Sequence, residues 1–141
     1  MAMPRNDGAF AGDPMKTVEH YATGSSGWAL PETLRELAHD GASGLILELI
    51  EVFRSDIAPR LGQMRLAIAN ADAKGLSNAA HTVKGSALQM GADAMASICQ
   101  ELELAPMDTP ASELAGWLTA LEAEFAEVSR AMSLWTEHSD P

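Results

Sequence analysis

The sequence predicts an all-α protein, an antiparallel four-helix bundle with a short additional N-terminal helix. Three observations support this prediction. Ala, Leu, Met and Glu are abundant while aromatic residues make up only 5% of the chain, a composition that favours helix. Apolar residues recur at helical spacing along several long stretches. Short segments rich in Gly, Pro, Asn or Asp separate these stretches, which is typical of the tight connections in a bundle.

The first 27 residues differ from the rest of the chain. Glycine, proline and serine interrupt them, and their apolar periodicity is weak. We interpret residues 1–27 as an N-terminal tail, with a short helix from Asp13-Pro14 to Tyr21, and expect Tyr21 and Trp28 to dock on the bundle. Residues 28–138 form one predicted domain, large enough to bury a core without disulfides.

The first two helices of this domain have recognisable ends. Pro31 suits the first position of a short helix, which Asp40-Gly41 terminates. Ser43 is the predicted N-cap of a long second helix, and Pro59 predicts a kink in that helix rather than a break. The apolar stripe of the second helix consists of Ile46, Leu49, Ile50, Phe53, Ile57, Leu61, Met64 and Ile68.

Three further helices follow at short intervals. The third spans about residues 72–90 and stops at Gly91, and the fourth spans about residues 92–104, before Pro106. Thr109-Pro110 starts the last helix in the preferred order of cap and proline. The apolar seam of the last helix consists of Leu114, Leu118, Leu121, Phe125, Val128, Met132 and Trp135.

His81 is placed on the outer face of the third helix, directly away from its apolar arc. Its helical neighbours there are Ser77 and Asn78, which we expect to be supporting contact surface, and Lys84 and Gly85. An exposed histidine beside a lysine is usually no more than solvated surface. Gly85, however, costs the helix about 1 kcal/mol relative to Ala. Something outside the helix must therefore need the space that a side chain would fill.

This combination resembles the phosphorylatable site of histidine-containing phosphotransfer (HPt) domains, the relay modules of two-component signalling. The family's order of His, Lys, Gly, a small residue and a second Gly is matched by His81, Lys84, Gly85, Ser86 and Gly91. The next helix carries Cys99-Gln100-Glu101-Leu102-Glu103, similar to the family's Cys-x-x-Leu-Glu pattern. The resemblance covers about residues 30–135.

The resemblance implies a phosphorelay carrier. His81 would accept a phosphoryl group from the aspartyl phosphate of one receiver domain and pass it to another receiver domain. Lys84 would balance the charge on the phosphorylated ring, and Gly85 would leave room for the phosphoryl group and the partner. In the family, a polar residue at the position of Glu103, often Gln, forms a hydrogen bond to the ring nitrogen that is not phosphorylated.

The same resemblance implies a protein that is not an enzyme and has no cofactor of its own, with Mg²⁺ on the partner receiver domain. No Gly-rich phosphate loop, nucleophile elbow or kinase signature occurs in the sequence. The scattered histidines have no metal-ligand spacing, so we predict no metal site. The alternative is a phosphorylation-independent adaptor that binds receiver domains, although such a protein would be free to lose the histidine that this chain retains.

Charge and cysteine content restrict the partners and the compartment. A formal net charge of −11 argues against nucleic acid and anionic membranes, which both demand a cationic surface. Cys99, the single cysteine, excludes an internal disulfide and fits a reducing cytosol. The chain opens with no signal sequence, and its longest apolar run is too short to span a bilayer. We expect a separate, cytoplasmic, monomeric protein whose partners are the receiver domains of response regulators and hybrid histidine kinases.

Overall fold

The computed structural model describes residues 28–138, and over that range it consists of five α-helices without a β-strand. The helices are α1 (Glu32–His39), α2 (Ser43–Ala69), α3 (Ala73–Gln89), α4 (Asp93–Leu104) and α5 (Ala111–His138). The prediction of an all-α bundle with one short first helix is confirmed. The predicted tail, its short helix and Tyr21 lie outside the described residues.

The helices pack around a single apolar core. α3 packs against α2 and α4, α5 packs against the same two helices, and α1 lies on α2. Connections of three residues join α2 to α3 and α3 to α4, a length that is typical of antiparallel neighbours. Pro59 lies inside α2 and does not break it, as predicted, while the kink expected there stays a prediction. The largest fully buried apolar side chains are Ile46, Ile50, Ile57, Met64, Met95, Ile98, Leu102, Leu118, Leu121 and Met132.

The predicted starts of α1 and α2 are wrong by one residue. Pro31 is not the first helical residue but the N-cap, with a ψ of 152° and a carbonyl that accepts a hydrogen bond from the Arg35 N–H. Ser43 is not the N-cap but the first residue of α2, and Ala42 precedes it without a side-chain cap. In both cases the helix begins after the first backbone carbonyl that accepts a helical hydrogen bond, that of Pro31 or Ala42, and no side chain caps it.

The start of α5 does not use its predicted cap, whereas the start of α3 has a side-chain cap that the sequence analysis did not predict. The Thr109 hydroxyl donates a hydrogen bond to the Pro106 carbonyl at 2.7 Å instead of capping α5, which begins after Pro110. At α3, the Asp72 carboxylate accepts a hydrogen bond from the Gly75 N–H at 3.0 Å and forms a true side-chain cap. This cap fixes the first turn of α3.

The other end of α3 is fixed by the segment that enters the bundle. Gly91 adopts a φ of +73°, which terminates the helix in the left-handed region. The Trp28 Nε1–H donates a hydrogen bond to the Met90 carbonyl at 2.7 Å, so the predicted docking of Trp28 is confirmed. Pro31 packs so closely on Gly91 that a Cβ there would lie 2.8 Å from its Cγ. Both ends of α3 are therefore held.

Candidate functional site

α3 presents two contrasting faces. Its inner face is formed by small and apolar residues that are at most 3% exposed: Leu76, Ala80, Val83 and Ala87. His81 projects from the outer face, and its side chain is 69% exposed. Because α3 packs on two neighbouring helices and is fixed at both ends, the imidazole is displayed to solvent from a rigid support.

A glutamate from α4 approaches this histidine. Glu103 lies in the last turn of α4, and its Oε2 is 2.8 Å from His81 Nδ1. Its other oxygen, Oε1, is 2.8 Å from Lys84 Nζ. Glu103 and Lys84 are both largely covered, with side chains that are 18% and 23% exposed. One carboxylate therefore joins the two outward residues of α3 that the sequence singled out.

This geometry determines the hydrogen-bonding state of the imidazole. An ionised carboxylate can only accept hydrogen bonds, so the contact with Glu103 requires that His81 Nδ1 carries the proton and donates it. In a neutral imidazole the other nitrogen, Nε2, then keeps its lone pair. The arrangement leaves one nucleophilic nitrogen on an exposed ring.

The charges at the site favour the ionised carboxylate. The Lys84 ammonium holds the pKa of Glu103 below its ordinary value, and the hydrogen bond from His81 acts in the same direction, although burial opposes both. One turn before Glu103 on α4, burial raises the pKa of Cys99 to about 12, with a further rise from the charge of Glu103 and an opposing effect of Lys84. The buried thiol is therefore neutral, as expected for a residue of the core.

The two predicted supporting residues lie one turn before His81 and differ in their contacts. The Ser77 hydroxyl donates a hydrogen bond of 3.2 Å to the backbone carbonyl of Glu103 and so ties the end of α4 to α3. Asn78 is exposed, and its backbone carbonyl accepts a hydrogen bond from Thr82. Ser77 thus helps to position the glutamate, while Asn78 contributes outer surface.

Gly85 faces open space. A Cβ at this position would meet no heavy atom within 4 Å. Helix packing therefore does not require glycine here, which removes the simplest structural explanation for a residue that weakens the helix.

Leu88 was not recognised from the sequence as part of this surface. It lies two turns after His81 on the same face of α3 and is 56% exposed. Together with Lys84 and residues of α4, including Ala96 and Gln100, it lines a groove of about 400 Å³ between α3 and α4. Its spacing of seven residues from His81 is the signal that could have identified it.

The comparison with known families agrees with this site. Residues 48–131 match the family model of the Hpt domain, which is more than half of the chain and includes every predicted site residue. The chain therefore belongs to the Hpt domain family. No curated protein and no solved structure matches the chain.

Membership in this family confirms the predicted role in two-component phosphorelay signalling. Hpt domains are phosphotransfer carriers rather than catalytic enzymes, and they interact with receiver domains. Within residues 28–138, no helix is long and apolar enough to cross a membrane.

Proposed function

We propose that His81 Nε2 accepts a phosphoryl group from the aspartyl phosphate of one receiver domain and passes it to an aspartate of another. The observation that carries this proposal is the 2.8 Å contact between His81 Nδ1 and Glu103 Oε2 on a ring that is 69% exposed. The contact occupies the inner nitrogen and leaves Nε2 as the nucleophile. A second residue with the same combination is not found among the described histidines.

The proposed step exchanges one bond to phosphorus for another. The Nε2 lone pair forms the P–N bond while the P–O bond of the aspartyl phosphate breaks, and the receiver's carboxylate leaves with that electron pair. The Nδ1 proton stays on the ring, which becomes cationic, and its hydrogen bond to Glu103 stabilises the new charge. In the return step, a receiver carboxylate attacks phosphorus, the P–N bond breaks and neutral His81 is restored.

Lys84 and Gly85 serve the bound phosphoryl group in this proposal. The Lys84 ammonium, 2.8 Å from Glu103 Oε1, lies one turn beyond His81 and can also interact with the anionic phosphoryl oxygens. Gly85 leaves open the volume next to the ring, where the phosphoryl group and the backbone of the receiver must fit. Small displacements are costly in such an in-line geometry, so a side chain at this position would slow transfer.

The receiver domain supplies the metal ion in this proposal. Mg²⁺ is proposed to sit on the receiver domain, where it stabilises the charge of the transferring group. The transfer unit is a single chain, because His81, Lys84, Gly85 and Glu103 all come from one copy. We place the relay in the cytoplasm, since the buried free thiol of Cys99 suits a reducing compartment.

Transfer of label from phosphorylated receivers tests the proposal. A panel of receivers carrying ³²P-aspartyl phosphate should label the wild-type chain, and His81→Gln should abolish labelling while circular dichroism remains unchanged. His39→Gln, at an exposed position on α1, is the matched control and should be labelled like the wild type. Label that persists on folded His81→Gln would overturn the assignment.

Two further measurements separate this carrier from other functions. Labelled ATP and Mg²⁺ alone should give no incorporation, and robust incorporation would contradict a carrier without kinase elements. Receivers that bind the chain tightly in calorimetry but never label it would support the phosphorylation-independent adaptor instead.

A further inference from the structure

From Val52 onward, the outer face of α2 carries little charge for a chain with a net charge of −11. Among the nine exposed residues from Val52 to Ala69, only Arg65 is charged. Val52 and Leu66 are 64% and 63% exposed, although both are large and apolar. We call this surface the α2 strip, and its members are Val52, Ser55, Pro59, Gly62, Gln63 and Leu66.

Charged residues of both signs border the strip. On one flank, Arg60 Nε lies 3.0 Å from Asp56 Oδ2. On the other flank are Glu51, whose side chain is 71% exposed, and Arg65, whose guanidinium binds Glu122 of α5. The strip is therefore uncharged along its middle, with Val52 and Leu66 at its two ends and an acidic and a basic residue on each side.

The spacing of these residues is symmetric. Val52 lies seven residues before Pro59, and Leu66 lies seven residues after it. Seven residues are close to two turns of helix, so all three residues lie on one line along α2. We propose that two copies of this chain associate through the α2 strip, antiparallel, about a two-fold axis at Pro59.

This register is self-complementary in shape. An isologous interface places the same patch of both copies face to face, so a residue before Pro59 meets a residue equally far after it. Val52 of each copy then packs on Leu66 of the other, and Ser55 meets Gln63. Gly62 has open space around it, which lets the second helix approach closely.

The same register is complementary in charge. In an antiparallel two-fold pair, the flank with Glu51 and Arg65 faces the same flank of the second copy, and the flank with Asp56 and Arg60 does likewise. Glu51 of one copy then lies within two residues, about 3 Å along the helix axis, of the position of Arg65 in the other. Asp56 of one copy likewise lies within two residues of the position of Arg60 in the other copy. Four attractions between opposite charges accompany the apolar contacts.

A second copy fits this strip better than an unrelated partner. Two chains of net charge −11 repel each other over most of their surface, so they can meet only where charge is absent or paired. α2 contains 27 residues, a length of about 40 Å, which provides an extended contact. The three regularly spaced residues also resemble one seam of a coiled coil.

Association through α2 leaves the transfer site complete. His81, Lys84 and Gly85 lie on α3 and Glu103 lies on α4, so no site residue belongs to the strip. Each copy keeps its own complete transfer site. The proposal differs from the sequence-based expectation of a monomer only in the number of chains that associate. The inference does not depend on the proposed phosphotransfer.

The mass of the full chain in solution tests the association. Size-exclusion chromatography with light scattering should give twice the chain mass of 14.9 kDa at high concentration, with a return to one chain on dilution. Leu66→Glu should raise the dissociation constant at least tenfold, because the two-fold axis introduces the charge twice. The matched control is Leu104→Glu on α4, also an exposed leucine, which should associate like the wild type. A wild type that remains one chain at every concentration would overturn the proposal, as would equal losses in both variants.

Cross-linking tests the register. A mixture of Val52→Cys and Leu66→Cys chains should form mixed disulfide dimers faster than either variant alone, while the wild type, whose Cys99 is buried, gives the background. Asp56→Arg should weaken association, and the added change Arg60→Asp should restore it. Preferential cross-linking of either variant with itself would contradict the antiparallel register. Phosphotransfer by Leu66→Glu should equal that of the wild type per chain, so the two proposals can fail separately.

Discussion

Gly85 lies within the helix that carries His81 and Gly91 lies two residues after its end, and their surroundings differ completely. Gly91 has a φ of +73° and would place a Cβ 2.8 Å from Pro31 Cγ. Gly85 has ordinary helical geometry and faces open space. The fold therefore requires glycine at the end of α3 and has no need of it beside the histidine.

The two positions therefore have glycine for different reasons, one for the stability of the fold and one for the proposed transfer. Gly91 lets the chain turn sharply where Trp28 and Pro31 pack, so its contribution is to stability. Gly85 lowers helix propensity without a compensating contact among residues 28–138, so in the proposed function its contribution comes from docking of a partner. Stability and transfer should then respond in different ways to substitution at the two positions, and four predictions test this expectation.

The largest loss of stability is expected in the core and provides the reference for the comparison. Leu121 is fully buried on α5, away from the site, and Leu121→Ala should lower the free energy of unfolding by about 2–5 kcal/mol. Chemical denaturation measures the loss, and transfer should fall only in proportion to the unfolded fraction. A folded variant that cannot transfer would show that α5 contributes to docking. Phe125, which is only partly buried and meets Phe53 edge to face, should cost less on truncation.

A smaller loss of stability is expected at Gly91. Gly91→Ala should destabilise the fold by about 1–3 kcal/mol because a side chain is strained at positive φ, with a further cost from the contact with Pro31. Gly41→Ala is the matched control, since Gly41 also has positive φ but open space around it. The difference between the two variants in thermal unfolding isolates the contact with Pro31. Equal losses would mean that backbone strain alone accounts for the effect.

Gly85 should show the opposite behaviour. Gly85→Gln should raise the free energy of unfolding by about 0.5–1 kcal/mol through helix propensity, while transfer from a labelled receiver drops sharply. Gly85→Ala should be at least as stable as Gly85→Gln, because Ala has the highest helix propensity, while its transfer should fall between that of Gly85→Gln and that of the wild type. Gly116→Ala on α5, also in open space, should be neutral or stabilising without loss of transfer. A Gly85 variant that is less stable but transfers normally per folded molecule would refute the clearance argument.

Local patterns predicted most of the fold. Apolar periodicity located all five helices of the described range, because this signal depends only on neighbours along the chain, and the composition favoured helix. The helix starts at Pro31, Ser43 and Thr109 were wrong because capping depends on the backbone of the preceding turn. A side chain such as that of Thr109 can satisfy its hydroxyl elsewhere.

The candidate site was only partly predictable for the same reason. His81, Lys84 and Gly85 share one helix, so their spacing alone brought them together. Glu103 belongs to another helix, and its placement rested on a family resemblance until the contacts of 2.8 Å to His81 and Lys84 were seen. Glu103 contacts both His81 and Lys84 only because α3 and α4 pack side by side, and no pattern within one helix predicts that packing.

The last prediction concerns Glu103, which belongs with Gly85 as a residue of the site rather than of the fold. Lys84 and His81 lower the pKa of Glu103 in the folded chain. The ionised Glu103 carboxylate therefore stabilises the folded protein at any pH above the ordinary pKa of a glutamate. This contribution is lost as the pH falls through the lowered pKa of the folded state. Glu103→Gln should therefore cost only about 0.2–1 kcal/mol near neutral pH, and the two unfolding curves should converge in acid. Gln can still accept the hydrogen bond from Nδ1, whereas Ala cannot. Transfer should accordingly be retained better by Glu103→Gln than by Glu103→Ala, and equal transfer by both would show that Glu103 does not orient the ring.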